Sequence, residues 1–341
     1  VTKKYGSQFK GLLELSKKYS TDTLGLKLGS ELLVVVYGEK NVRHVFTEKA
    51  FEGRPDSFFL RLRTLGKRLG ETIKEEKWKH LQELFRERSK AFSMAGGLLN
   101  QIPWCRFIIP RLSGYSLITK LNGQESLFKN ILFTFTEEQL KMVCLDLLIA
   151  GSQTTSNVLE FALLQVLRNK SIQRKIHDEI DRVIGDKTPC WADNTKLVYT
   201  AAFMLELQRY YTIVPLAGPR RVLFDTVIDT YLIPKNTTLL ISVGDIHFDK
   251  KLWRDPHVFK PERFIDEREM LKYSEHMYPF GLGRRRCPGD SLAKSFVFLM
   301  FVGILQQYRV ECSNGVLPSD EPNIGLMASP KPYIADFVMR K

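Results

Sequence analysis

A chain of 341 residues with 44% apolar and 26% charged side chains has a globular composition, long enough for one large domain or two ordinary ones, and wholesale disorder is excluded. Its formal net charge of +13 calls for an acidic partner or surface, or serves solubility alone. No basic helix or aromatic-basic recognition motif points to nucleic acid. The five cysteines, Cys105, Cys144, Cys190, Cys287 and Cys312, are odd in number and form no C-x-x-C pair, which fits a reduced compartment and disfavours a zinc site or disulfide framework.

The longest aliphatic run, Leu32–Val36, is far too short to cross a bilayer as a helix. The chain opens on Val1 with no signal peptide before it, which reads as a fragment or a chain whose leader is absent. Phe9–Tyr19, with Leu12, Leu13 and Leu15 among lysines, predicts a short amphipathic helix. Leu24–Leu28 and Leu32–Tyr37 flank Gly29-Ser30-Glu31 in the manner of a hairpin. Glu39–Thr47 reads as a helix with Val42, Val45 and Phe46 on one side, closed by Phe51-Glu52-Gly53-Arg54-Pro55.

A long helix is predicted from Thr136, where Thr136 and Gln139 have capping-box spacing. Its apolar positions, among them Met142, Val143, Leu145, Leu148, Ile149, Val158, Phe161, Leu164 and Leu167, lie on most sides and predict a central, buried helix. Ala150-Gly151-Ser152-Gln153-Thr154-Thr155 interrupts it. A mid-helix glycine costs about 1 kcal/mol against alanine, so this cluster marks either a tight packing site or a functional groove.

Ile172, Ile176, Ile180, Val183 and Ile184 predict a core-facing helix ending at Gly185-Asp186. After a loop at Pro189–Leu197, Val198–Tyr210 is helical again and sets Glu206 and Arg209 one turn apart. Strands are expected at Val222–Val227 and Thr238–Val243, with Pro234-Lys235 turning between them. His247 and His257 read as surface or capping residues, since no H-x-x-x-H or H-E-x-x-H accompanies them.

Residues 279–291 read Pro-Phe-Gly-Leu-Gly-Arg-Arg-Arg-Cys-Pro-Gly-Asp-Ser. Gly281, Gly283 and Gly289 permit backbone angles and close approaches that a Cβ forbids. A helical pattern then runs from Leu292 to Leu305, so Cys287 sits just before a helix N-terminus with Arg284, Arg285 and Arg286 beside it. Both features favour thiolate over thiol. A structural cysteine in a Gly-rich turn is the plainer alternative. Tyr308–Glu311 and Tyr333–Val338 complete the chain as strands, with a turn at Gly325-Leu326-Met327 between them.

The spacing Phe280-x-x-Gly283-x-Arg285-x-Cys287-x-Gly289 resembles the haem-binding loop of the cytochromes P450, the haem-thiolate monooxygenases. Ala150–Thr155, Glu206-x-x-Arg209 and Pro261-Glu262-Arg263-Phe264 accompany it in family order. The resemblance implies a mostly α fold with small β-sheets, haem b lying between the long helix and the cysteine loop. It makes Cys287 the proximal thiolate on iron, with Phe280, Gly281 and Gly289 around it, and Arg285 and Arg220 as partners of the haem propionates. Over the distal face it places Ala150 and Gly151 as the groove for O2 and Thr154 as the proton-handling hydroxyl. Gln153 stands at the family's acid position and cannot titrate.

Glu206, Arg209 and Arg263 correspond to a buried structural triad. Phe58, Phe59, Ile213, Val214, Leu216, Ala217, Leu326 and Met327 become candidate substrate contacts. The wording is most like insect microsomal members, including those acting on sesquiterpenoid hormone precursors.

Two departures are visible. Gly70 runs straight into Glu71–Trp78, and Gln82 stands four residues after Trp78 where the family has an arginine. Helices around 70–77 and 129–132, and an N-terminal membrane anchor, therefore read as missing from a single 341-residue domain. Lys67 or Arg68 are stand-in propionate partners.

The expected activity is insertion of one oxygen atom into a lipophilic small molecule, with electrons from NADPH through a flavoprotein, NADPH-cytochrome P450 reductase, and cytochrome b5 as a further donor. An acidic electron-transfer partner would dock on the basic face around Arg284–Arg286 and Lys294. The implied location is the cytosolic face of the endoplasmic reticulum membrane. A degenerate relative that holds haem poorly, or a haem-thiolate isomerase, are the alternatives.

Overall fold

The structure is a computed structural model that describes residues 2–28, 31–55, 137–313, 315–325 and 327–340. The calls at Phe58, Phe59, Lys67, Arg68, Trp78, Gln82, Thr136 and Leu326, and around 70–77 and 129–132, lie outside the described residues. Two units are distinguished, Val1–Pro55 with Ala150–Lys341, and Asp56–Ile149. In the second unit the described residues are the leading turns of one helix.

The first unit opens with a short helix α1 (Thr2–Tyr5) and α2 (Gln8–Tyr19). Ser7 caps α2, its hydroxyl accepting from the Lys10 N–H at 3.1 Å. Next come β1 (Thr23–Leu28), β2 (Glu31–Val36) and α3 (Glu39–Thr47). The strands pair antiparallel, as the hairpin spacing predicts. Strand β2 is interior to a sheet, and its aliphatic run serves both faces. Val34 and Val36 pack with Val42, Val45, Phe46 and Phe51, whereas Val35 and Tyr37 pack with Leu12 and Leu24. A strand buried on both faces needs this continuous run, not alternation.

Helix α4 covers Glu137–Arg168, α5 Lys170–Val183 and α6 Val198–Tyr211. The expectation that α4 is buried throughout is corrected. From Asn157 onward one side is interior, with Phe161, Ala162 and Leu164 each 0% exposed, although Glu160 is exposed, and Ala150, Gly151, Ser152 and Gln153 are exposed as well. Leu148, read from the pattern as interior, is 66% exposed. Apolar residues all round a helix record a capacity for burial, which is realised only where other elements cover each side.

The strand expected at Val222–Val227 is also corrected. Strand β3 is Leu216–Arg221, followed by a hairpin of β4 (Thr226–Ile228) and β5 (Tyr231–Ile233), then β6 (Thr238–Ser242). The main sheet runs β1-β2-β6-β3, with β2 parallel to β6. Gly218 and Pro219 argue against a strand locally, yet a register shift between Ala217 and Arg220 lets the ladder with β6 continue past them. Pairing with β6 outweighs local propensity.

A short helix α7 (Val243–His247) follows, and α8 (Asp290–Gln307) comes directly after the cysteine loop. Strands β7 (Tyr308–Cys312) and β10 (Ala335–Met339) pair antiparallel, and the two-residue strands β8 (Asn323–Ile324) and β9 (Ala328–Ser329) pair between them. One core joins α4, α5, α6 and α8, where Phe161 stacks on Tyr211 with centroids 3.7 Å apart and Phe203 on Phe301 at 5.2 Å.

Phe301 is 0% exposed and Phe224 is 51% exposed. Phe301→Ala is therefore expected to cost about 3–5 kcal/mol, against about 0.5 kcal/mol or less for Phe224→Ala. Chemical denaturation measures both.

Candidate active site

The stretch from Tyr278 to Gly289 is held by its own backbone. The Gly281 N–H donates to Tyr278 O at 3.1 Å, the Arg286 N–H to Gly283 O at 3.3 Å, and the Cys287 N–H to Phe280 O at 2.8 Å. Gly281 has φ of 70° and Gly283 of 69°. A Cβ on Gly283 would stand 2.3 Å from the Phe46 carbonyl oxygen, so α3 approaches the loop only because this position is glycine. Gly289 corrects the sequence argument: its φ is −93°, and an added Cβ would meet only Cys287 Sγ, at 3.9 Å. The folded chain itself does not demand glycine there.

The thiol also differs from expectation. Cys287 as a residue is exposed, but protein crowds its sulfur, and the sulfur's own surroundings set its acidity. Its pKa is raised: burial raises it most, the Gly289 N–H donated to the sulfur lowers it, and the Asp290 carboxylate raises it again. Arg284 and Arg285 do not supply the expected bias, because they turn to Glu52. Arg284 Nε lies 3.7 Å from the Glu52 carboxylate and Arg285 Nε donates to the Glu52 carbonyl at 2.7 Å. Phe280 instead carries the Lys294 ammonium over its ring, 5.0 Å from the centroid.

Arg220, on β3, is buried at 5% exposure. Its Nη1 donates to Val45 O at 2.8 Å and its guanidinium lies 5.1 Å from the centroid of the Phe46 ring. Among the described residues it has no ion-pair partner, and neither has Arg285. Burial first, then the positive charge of Arg285, pull its pKa down to about 10, with Glu52 opposing and Arg54 adding to the fall. Arg220, Arg285 and Arg54 thus form a cationic cluster short of anions.

Glu206 and Arg209, both 0% exposed, sit on α6. Arg209 Nε and Nη2 donate to the two Glu206 oxygens at 2.8 and 2.9 Å, and Arg263 Nε lies 3.0 Å from the same carboxylate. The Lys260 N–H adds a further bond at 2.8 Å. Arg263 also donates to the carbonyls of Arg254, Asp255 and Val258, which ties the loop after α7 to α6.

His247 was expected at the surface; it is 0% exposed. Its Nδ1 lies 2.8 Å from Thr212 Oγ1, and its Nε2 accepts from the Tyr278 N–H at 3.1 Å. Sequence reasoning missed it because neither partner is near in the chain. His257 is exposed and stacks on Phe248.

On α4, Thr154 Oγ1 donates to Ala150 O at 2.8 Å and Gln153 Nε2 to Asn157 Oδ1 at 2.7 Å. Asn157 Nδ2 donates to Ala328 O at 2.7 Å, and the Ala328 N–H donates to Ile213 O at 2.8 Å. The structure thereby links Gln153, through Asn157, to Ala328 and Ile213. Val214 follows in the connection to β3 and is half-buried, as is Met327. Leu216 and Ala217 pack against different clusters, as neighbours on a strand do.

Comparison with known proteins places this arrangement. Residues 79–337 match the family model Cytochrome P450. The chain is 32% identical to "Probable cytochrome P450 305a1" of Drosophila melanogaster, covering 95% of this chain and 88% of that one. It is 31% identical to "Farnesoate epoxidase" of Bombyx mori, over 96% and 87% of the two chains. With human "Cytochrome P450 2U1" it shares 38% identity over 62% of this chain and 40% of the relative. The chain belongs to the cytochrome P450 family, and is an oxidoreductase of the haem-thiolate monooxygenase class.

Two predictions follow from the geometry. Gly283→Ala is expected to cost about 1–3 kcal/mol through strain at positive φ, whereas Gly289→Ala leaves the haem-free chain's melting temperature nearly unchanged. The second concerns acid. Burial first, and Arg209 second, push His247 down from 6.5 to about 3. The native ring stays neutral while the unfolded ring takes up a proton, so this contribution is full above pH 6.5 and is lost as pH falls towards 3. Stability should fall by about 1 kcal/mol more per pH unit in that window than in His247→Gln, as urea titrations at stepped pH would measure.

Proposed function

We propose that this chain inserts one oxygen atom from O2 into a lipophilic small molecule, by hydroxylation or epoxidation, and that Cys287 would hold haem b through its sulfur. The observation that carries the reading is the pairing of a Gly-folded cysteine loop with a buried guanidinium that forms no ion pair among the described residues. Haem propionates are carboxylates, and Arg220, beside Arg285 and Arg54, is a site that demands one. The donor set fits equally well: one sulfur accepts a backbone N–H from Gly289, and a Cβ built on Gly151 would meet nothing within 4 Å. When bound, the haem supplies the activation of O2 and the oxygen transfer.

The remaining roles belong to side chains. The Thr154 hydroxyl, bonded back to Ala150 O, keeps its lone pairs free to accept from a water and can pass a proton by rotating. Gln153, bonded to Asn157, orients and cannot titrate. Ile213, Val214 and Met327 provide apolar contacts to the substrate, whereas Leu216 and Ala217 face opposite sides of β3 and cannot both do so. The epoxidase relative makes a sesquiterpenoid acid the first class to try.

Electrons come from NADPH-cytochrome P450 reductase, with cytochrome b5 as a further donor, docking on the face of Arg284, Arg286 and Lys294. The site of action is the cytosolic face of the endoplasmic reticulum. Among the described residues no helix is long and apolar enough to cross a membrane, so membrane attachment must be tested on the longest form of the chain.

A second reading, a shortened relative that holds haem weakly, is favoured by two observations. The alignment with the Drosophila relative runs over 441 residues, more than the 341 of the whole chain, so it opens gaps here. Helices around 70–77 and 129–132 are where we place them. On α8, Leu292, Phe296 and Met300 form an apolar stripe at helical spacing that is 74%, 49% and 43% exposed.

Reduced, carbon-monoxide-bound protein separates the two readings. The red-shifted thiolate Soret band in the wild type, its loss in Cys287→Ser, and NADPH-dependent oxygenated product with added reductase are expected. A chain that stays folded yet never retains added haemin would establish the second reading.

A further inference from the structure

We propose that His247 is a positioning residue for the cysteine loop: its imidazole ring pins the Tyr278 peptide, and through it the Cys287 sulfur, to the Glu206 triad. This rests on the reading of Cys287 as the haem ligand.

The ring's protonation pattern is dictated by its partners. Nε2 accepts from the Tyr278 N–H, 3.1 Å away, and so carries no hydrogen. Thr212 Oγ1, 2.8 Å from Nδ1, donates its own hydrogen to Arg209 O at 2.7 Å. Nδ1 must therefore be the N–H and donate to Thr212. The backbone of the same residue is held as well, His247 O accepting from Arg209 Nη1 at 2.8 Å. Ring and peptide are both fastened to one arginine of the triad.

From the ring, the connection to the cysteine runs through the Tyr278 N–H, across the Tyr278 Cα to its carbonyl, and on through two further hydrogen bonds. Tyr278 O accepts from the Gly281 N–H, and Phe280 O accepts from the Cys287 N–H. The Tyr278 hydroxyl donates to Glu39 at 2.8 Å and its ring lies 6.0 Å from that of Phe46, contacts that locate the side chain and not the peptide. For the peptide N–H, His247 is the acceptor. A buried N–H that loses its acceptor costs about 1–3 kcal/mol, and the loop can recover it only by turning the peptide before Tyr278, which shifts the Tyr278 backbone from which the turn towards Cys287 starts.

The two ring nitrogens have separate tasks, so two amide substitutions separate them. Gln reaches the Nε2 position with an oxygen that accepts from Tyr278; Asn reaches the Nδ1 position with a donor to Thr212 and falls short of Tyr278. In haem-free protein, His247→Asn is expected to speed hydrogen exchange of the Tyr278 amide roughly tenfold or more relative to His247→Gln. Alkylation of Cys287 should speed up with it. In haem-loaded, reduced, carbon-monoxide-bound protein, His247→Gln keeps the thiolate band and His247→Asn loses most of it.

Equal exchange rates in the two variants overturn the proposal, whatever their melting temperatures. Should His247→Asn not fold, Thr212→Val takes its place. It removes the partner of Nδ1 without touching Tyr278, and unchanged exchange at Tyr278 then defeats the relay. A wild type without a thiolate band refutes the ligand reading of Cys287, while the exchange measurements still decide the role of His247.

Discussion

The carboxylate of Glu206 is the constraint on which the rest of the site depends. It is fully buried, and a buried charge is tolerable only when paired and hydrogen-bonded. Two arginines and one backbone N–H fill its oxygens. Because Arg209 comes from α6 and Arg263 from the loop after α7, neither segment can move without uncovering a charge. Arg263 spends its other nitrogens on three loop carbonyls, so a stretch with little regular structure becomes as fixed as the helix. His247 carries that rigidity on towards Tyr278 and the cysteine.

The cysteine loop shows how local and long-range demands combine. Gly283 serves two: a left-handed backbone angle, and the carbonyl of Phe46 pressed against its Cα. The sulfur obeys a different balance, since the chain alone favours the thiol. This does not oppose a ligand role, because a metal-bound thiol is deprotonated outright by the ion's own charge. The guanidinium cluster around Arg220 is the complementary case, an excess of positive charge with too few anions among the described residues. Both features would be met by a haem, whose iron would take the sulfur as thiolate and whose propionates would pair with the guanidinium groups.

Much of this was legible along the chain. The helices at Glu39–Thr47 and Lys170–Val183, and the opening hairpin, follow from apolar period and turn chemistry, which act within a few residues. The cysteine loop and the acid–arginine pair were visible for the same reason: their glycines, charges and spacings are local. Where sequence reasoning failed, a distant partner decided. Strand β3 runs through Gly218 and Pro219 because β6 is there to pair with it. The first half of the Ala150–Thr155 cluster is exposed although the helix around it is apolar on most sides.

By itself, then, the order of residues determined the family, the thiol and the charges available to the site, since those are matters of which groups are present and how they are spaced. Only the tertiary structure decided how they are used. It turned Arg284 and Arg285 towards Glu52 instead of the sulfur, left Arg220 buried with no ion-pair partner among the described residues, and put His247 in the core between Thr212 and Tyr278. The physical reason is the same in each case. Burial and hydrogen-bond partnership depend on residues far apart in the chain, and no local pattern records them.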